Sequence, residues 1–340
     1  MVNHTHGGQL DQLKQHFPQV ESSGETWLDL STGISPWSYP HLAEHQSNQR
    51  LPTDEDFTQC EEAMAKCFGI ARDRVIAVPG LEIVIRLLPL ILEGSLSISA
   101  PTYGDYEASW RRQHKDIYLD QETEGCVRVV CQPNNPTGEA LTETDLGELL
   151  GQVENNGNWL VVDESYNEAS RAASAVHLPT SQKLVILKSF GKFFGLPGTR
   201  LGTVIAPTMV CQSLRDFLGD WRVSTATLQL GASAYANSTW QLSHQSRLAA
   251  AMAEQQTALS VFSSDINFSS EFNFSSEINY VGGTELFQCF YTPDAQALWA
   301  HLMSQGIYTR LFPEHNLIRV GLTKDREELE RLISALGLDH

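Results

Sequence analysis

Between residues 75 and 206 the chain alternates short β-branched, apolar runs with stretches of helical periodicity. The runs are VIAV (75–78), SLSIS (95–99), DIYL (116–119), VRVVC (127–131), NWLVVDE (158–164), LVILK (184–188) and GTVIA (202–206). Helical spacing occupies 81–92, 104–114, 141–153 and 208–219. Several runs are continuously apolar, as strands covered on both faces must be. This pattern predicts an α/β unit with a mostly parallel sheet. Residues 227–260 hold no proline and predict one long helix leaving that unit. Beyond it, TELFQCFY and NLIRVGL read as strands and 294–304 and 324–336 as helices. The expected division is an N-terminal segment (1–45) joining a small α+β domain (246–340), around a large domain (46–245). Residues 263–280 contain three imperfect hexapeptides, SSDINF, SSEFNF and SSEINY. An even period preserves strand alternation, so the expectation is an edge ribbon on the small domain with no chemical role.

Charge narrows the function classes. Among 340 residues, 23 Lys+Arg stand against 41 Asp+Glu, a net charge of −18. Such a chain repels phosphate backbones and anionic lipid, which sets aside nucleic acid and membrane as main partners. Six cysteines without a C-x-x-C pair read as reduced thiols, and no metal site is expected. The start, MVNHTHGGQLDQL, lacks the basic and apolar regions of a signal peptide. The most apolar stretch, Val84–Leu92, is short and interrupted by Arg86 and Pro89. A cytoplasmic protein is the expectation.

Three segments bear the chemistry: QPNNPTG (132–138), VVDESYNEA (161–169) and LKSFGKFFGLPGTRLG (187–202). Each follows a β-run, so its polar residues lie at the carboxyl end of a strand, where open α/β sheets bind ligands. Singly they are bland: a turn asparagine, a capping aspartate, a surface lysine. Together, in order and spacing, they resemble the fold-type-I pyridoxal-phosphate enzymes, the aspartate-aminotransferase-like superfamily, across about residues 25–335.

The resemblance implies pyridoxal phosphate as cofactor and assigns its ligands. Lys192 is the covalent anchor and proton shuttle, because only a lysine amine bonds the cofactor aldehyde reversibly. Asp163 keeps the ring nitrogen protonated. Asn135 and Tyr166 donate to the phenolic oxygen, and Tyr103 in PTYGDY walls the ring face. Ser189, Arg200 and the helix opened by Gly80 take the phosphate. Leu81 stands where relatives often carry a hydroxyl, leaving only its backbone to donate. Arg319 in IRVGL is the implied grip on a substrate carboxylate, with Arg310 as a second cation.

Finer resemblances, in HGG (6–8), LDLSTGISPWSYP (28–40), RLP (50–52), VPG (78–80) and LGDWRVST (218–225), are to the threonine-phosphate decarboxylases of cobalamin biosynthesis. These are relatives of the histidinol-phosphate aminotransferases. Leu51 before Pro52, where transaminase relatives often have tyrosine, leans the same way. The implied reaction turns L-threonine O-3-phosphate into (R)-1-amino-2-propanol O-phosphate in a homodimer. His6, with Thr5 and the Gly7–Gly8 turn, would hold the substrate phosphate. Gly33 stands where some relatives place an asparagine donor, and Arg222 would make up the loss. Two rival readings remain open: an aminotransferase of the histidinol-phosphate type, and a non-catalytic cofactor-binding domain. The phosphate reading demands a cationic well around Lys192 in an otherwise acidic protein.

Overall fold

The computed structural model describes residues 7–23, 26–40, 49–121, 123–170, 172–260 and 278–338. It falls into two compact units, one of residues 38–135 and 139–245, the other of residues 1–37, 136–138 and 246–340.

The larger unit is built on seven strands: β1 (Val75–Val78), β2 (Leu96–Ile98), β3 (Ile117–Leu119), β4 (Val127–Cys131), β5 (Trp159–Asp163), β6 (Leu184–Ser189) and β7 (Gly202–Ile205). Their order across the sheet is β1-β7-β6-β5-β4-β2-β3. β7 runs antiparallel to β1 and β6, and all other pairs are parallel. Burial follows composition: every residue of β1, β2 and β7 is buried. Helix Leu81–Ile91 turns Leu81, Val84, Ile85 and Leu88 into the core, each worth about 1.5–3 kcal/mol when fully buried. Its packing fixes the amino end that follows β1. β4, β5 and β6 lie side by side, with Cys131 opposite Asp163 and Asp163 opposite Leu187. Their carboxyl ends therefore deliver the three chemistry-bearing segments to one edge of the sheet.

The smaller unit carries an antiparallel sheet of β8 (Asn279–Thr284), β9 (Phe287–Tyr291), β10 (Arg310–Phe312) and β11 (Leu317–Gly321), in the order β10-β11-β9-β8. The N-terminal segment joins it: Leu28–Asp29 pairs in parallel with Ile307–Tyr308, and Gly321 donates its N–H to the Leu30 carbonyl at 2.7 Å. Leu28, Leu30, Phe290, Ile318 and Val320 share one core with Leu298 and Leu332.

One expectation changes, one helix is added, and one lies mostly outside the described residues. The long helix is two, Thr225–Ala236 and Ser238–Leu259. Asn237 interrupts it, accepting from the Trp240 N–H at 3.0 Å as an N-cap does. Helix Asp54–Phe68 went unread although its signals are in the sequence. Thr53 and Asp56 form a capping box and Gly69 closes the far end at φ 68°. Of the hexapeptides, 263–277 lie outside the described residues, and the last two positions open β8 at the sheet edge.

The Asp54–Phe68 cap makes a testable point. Both oxygens of Asp56 take the Arg50 guanidinium at 2.6 and 2.7 Å, and Oδ2 also accepts from the Thr53 N–H at 2.8 Å. Hydrogen bonding to Arg50 first, then to Thr53, holds this carboxyl well below the usual carboxylate range despite its desolvation. Arg50 is half-exposed, so solvent screens part of what this pair contributes to stability. Asp56→Ala should cost about 1–2 kcal/mol at neutral pH in urea unfolding. A depressed folded-state pKa stabilises above the unfolded value, so this difference should shrink progressively as pH falls below about 4.

Candidate active site

A cavity of about 190 Å³ opens at the carboxyl ends of β4, β5 and β6. Its wall includes Leu81, Tyr103, Asn135, Asp163, Tyr166, Ser189, Lys192 and Arg200. The larger unit thus brings together every expected cofactor residue; Gly80 sits at its rim against Arg200.

Each side chain has a local cause for its place. Asp163 ends β5 and is buried. Its Oδ1 accepts from the Ser165 N–H at 3.0 Å and from the Ser165 hydroxyl at 2.6 Å, an Asx turn that stops the strand. Its Oδ2 accepts from the Tyr106 phenol at 2.7 Å. Burial pushes this carboxyl upward, while Ser165, Tyr106 and the Lys192 charge pull it back. Ser189 ends β6 and the short helix Phe190–Phe193 follows at once, presenting Lys192. The Lys192 ammonium lies 5.3 Å from the centre of the Tyr166 ring. Tyr103 donates to Asp105 Oδ2 at 2.9 Å and meets Tyr106 edge to face at 6.3 Å between centres. Burial first, and neighbouring carboxylates next, push its phenol far above the ordinary range.

The amino end of helix Leu81–Ile91 forms an anion cradle. Gly80, the residue before it, has φ 82°, and a Cβ there would stand 2.9 Å from an Arg200 nitrogen. That φ favours glycine, which also lets the backbone run close to this guanidinium. Arg200 itself holds a left-handed backbone, φ 52°, unusual for a side chain with a Cβ. Exposed N–H groups, the helix dipole, a guanidinium and the Ser189 hydroxyl suit a phosphate dianion. One departure is Glu82, whose carboxylate lies 3.8 Å from Arg200.

Behind β5 and β6 lies a separate charged group. Lys188 Nζ meets Glu164 Oε2 at 2.6 Å and Glu168 Oε1 at 2.9 Å, with Lys188 and Glu164 buried and Glu168 partly so. Pleating turns Lys188 away from the face shown by its neighbour Ser189. Burial lowers the Lys188 pKa, but the two carboxylates outweigh it and keep the ammonium charged.

The remaining expected residues divide. Arg319, central in β11, is buried and donates to the Ser31 carbonyl at 2.6 Å. Arg310 stands directly opposite it in register, with its guanidinium over the Phe312 ring, while that of Arg319 lies over Phe287. Gly8 donates to Ser31 Oγ at 2.8 Å, and Gly33 takes φ 57° two residues on. The glycine turn and Arg319 thus meet on Ser31, while His6 and Thr5 lie outside the described residues. Arg222 does not join the site. It is drawn into a different cavity by buried Glu61, 3.0 Å away, stacks on Phe57 and donates to the Ala77 carbonyl. A buried carboxylate claims it, so it is no substitute phosphate ligand. Nor is the cavity wall cationic by itself: Lys192 and Arg200 are balanced by Asp163 and Glu82. Sequence reasoning missed Tyr106 and Ser165. Ser165, two residues after an aspartate, carried a turn signal; Tyr106 carried none.

These residues fit pyridoxal phosphate. The cradle would take its phosphate, the buried Asp163 carboxylate would face its ring nitrogen, and the Lys192 amine would be available to its aldehyde.

Comparison with known proteins agrees. Residues 116–336 match the family described as aminotransferase class I and II. A threonine-phosphate decarboxylase of Sinorhizobium is 32% identical, over 98% of this chain and 97% of its own length. A histidinol-phosphate aminotransferase of Desulfitobacterium hafniense is 27% identical over 91% and 90%. In structure the chain resembles aspartate aminotransferase from Thermus thermophilus with maleate (TM-score 0.76, 15% identity, covering 96% and 95%). It also resembles the histidinol-phosphate aminotransferase of Sinorhizobium meliloti in complex with pyridoxal-5'-phosphate (TM-score 0.75, 16% identity, 96% and 94%). The fold is aspartate-aminotransferase-like.

Proposed function

The chain belongs to the class I and II aminotransferase family of pyridoxal-phosphate enzymes, and on that premise we propose that it decarboxylates L-threonine O-3-phosphate to (R)-1-amino-2-propanol O-phosphate. The observation that carries this choice is the 32% identity, end to end, to an enzyme of that name. The product is the linker used in cobalamin biosynthesis, and the reaction belongs to a cytoplasmic homodimer.

When bound, the cofactor supplies an electron sink for the pair left as carbon dioxide departs. The chain's residues do the rest. Gly80, Ser189 and Arg200 would hold the phosphate. Tyr103 would wall the ring. Asp163 would keep a proton on the ring nitrogen. Lys192 would anchor the cofactor and supply a proton at the substrate Cα. Residues that fix the substrate's anionic end would hold its Cα–carboxylate bond in the orientation that releases carbon dioxide.

Incubating the purified protein and pyridoxal phosphate with threonine phosphate should release one carbon dioxide for each amine phosphate formed. A 2-oxo acid without gas would transfer the assignment to the aminotransferases.

A further inference from the structure

The Asp163 carboxylate is supplied with donors before any ligand arrives. An ionised carboxylate has about four lone-pair positions. Ser165 takes two on Oδ1 and Tyr106 takes one on Oδ2. One position, on Oδ2, remains on a side chain that lines the cavity. Tyr106 is itself fully buried on helix Asp105–Arg112, in the core with Ile98, Trp110 and Val129. Phenylalanine would fill that volume equally well. A buried hydroxyl needs a partner, and this one points at Asp163.

We infer that Tyr106 is a positioning residue: its phenol keeps Asp163 ionised despite its burial and leaves one oriented lone pair for the cofactor's ring nitrogen. This rests on the cofactor reading above and adds a residue that acts through another. Other titratable groups near the carboxylate are Lys192, Cys131 and Tyr103, with Glu82 and Arg200 further along the same wall. Lys192 favours the ionised carboxylate. Cys131, pushed up to about 12 by burial and next by the Asp163 charge, and Tyr103 both stay neutral around pH 7. Tyr106, also pushed far upward by burial, remains a donor. Of the two neutral donors to the carboxylate, it is the one on Oδ2.

The test is Tyr106→Phe, with folding checked by circular dichroism and melting. The absorbance of bound pyridoxal phosphate is titrated with pH, and kcat and KM are measured separately. Losing a hydrogen bond to a charged group should move the acid transition of the bound cofactor up by about one to two pH units. kcat should fall by about tenfold or more, with KM within about twofold. In an Asp163→Asn background the same substitution should produce no further shift. Ser165→Ala, which removes one donor from Oδ1, should shift the transition in the same direction. A Tyr106→Phe titration that superimposes on the parent's overturns the inference, as does an equal shift in the Asp163→Asn background. An unshifted Ser165→Ala overturns the claim that donors hold the carboxylate ionised. A parent protein that takes up no pyridoxal phosphate overturns the cofactor reading, and the inference with it.

Discussion

Lys192→Ala should yield a folded protein that takes up pyridoxal phosphate but loses it on gel filtration, and turns over at least about a thousandfold more slowly. Two lysines follow each other closely here, and the structure separates their roles. Lys188 is fully buried, and two carboxylates at 2.6 and 2.9 Å hold its ammonium charged. A protonated amine is no nucleophile, and moving it would strand two carboxylates in a dry interior. Lys192 lines the cavity beside Tyr166. Borohydride reduction of the loaded wild-type protein should therefore leave the cofactor's mass on the peptide carrying Lys192. Mass recovered on Lys188, or full turnover by Lys192→Ala, would refute the anchor. Lys188→Met should instead show itself as instability, since it exposes Glu164 and Glu168 to each other without a counter-charge.

That contrast shows what kind of information the sequence held. The strand runs and the three motifs were legible because each uses a local rule: apolar continuity for a doubly covered strand, polar residues just past its end. Those rules placed Asn135, Asp163, Ser189 and Lys192 on one sheet edge, where the structure brings them together. Pairing was not legible. Nothing local says that Glu164 and Lys188, 24 positions apart, meet behind the sheet, or that Tyr106 reaches Asp163 across 57. Arg222 failed for the same reason. Its neighbourhood in sequence suggested a phosphate ligand, but Glu61, 161 positions earlier, is the buried charge it serves. The opposed arginines are a register effect: Arg310 and Arg319 meet only because β10 and β11 pair where they do. The helix break at Asn237 was the reverse case, a local capping signal outvoted by a long proline-free run.

Asp163→Asn should lower kcat by about a hundred- to a thousandfold, while leaving cofactor uptake measurable through the cradle at Gly80, Ser189 and Arg200. The amide has the carboxylate's shape but no charge, so it cannot raise the basicity of a ring nitrogen beside it. Asp163 is buried, which makes the lost charge count for more than it would in water. The amide would also turn its NH2 toward either Ser165 or Tyr106, where the carboxylate now accepts three hydrogen bonds. In wild type, activity should fall as pH drops through the Asp163 transition, because protonation removes the same charge. The variant has no such group to titrate. Its residual kcat should lack that acid limb, and pH profiles of both proteins measured side by side would show it. A variant retaining the wild-type limb would assign the transition to another group and remove Asp163 from the electron-sink role.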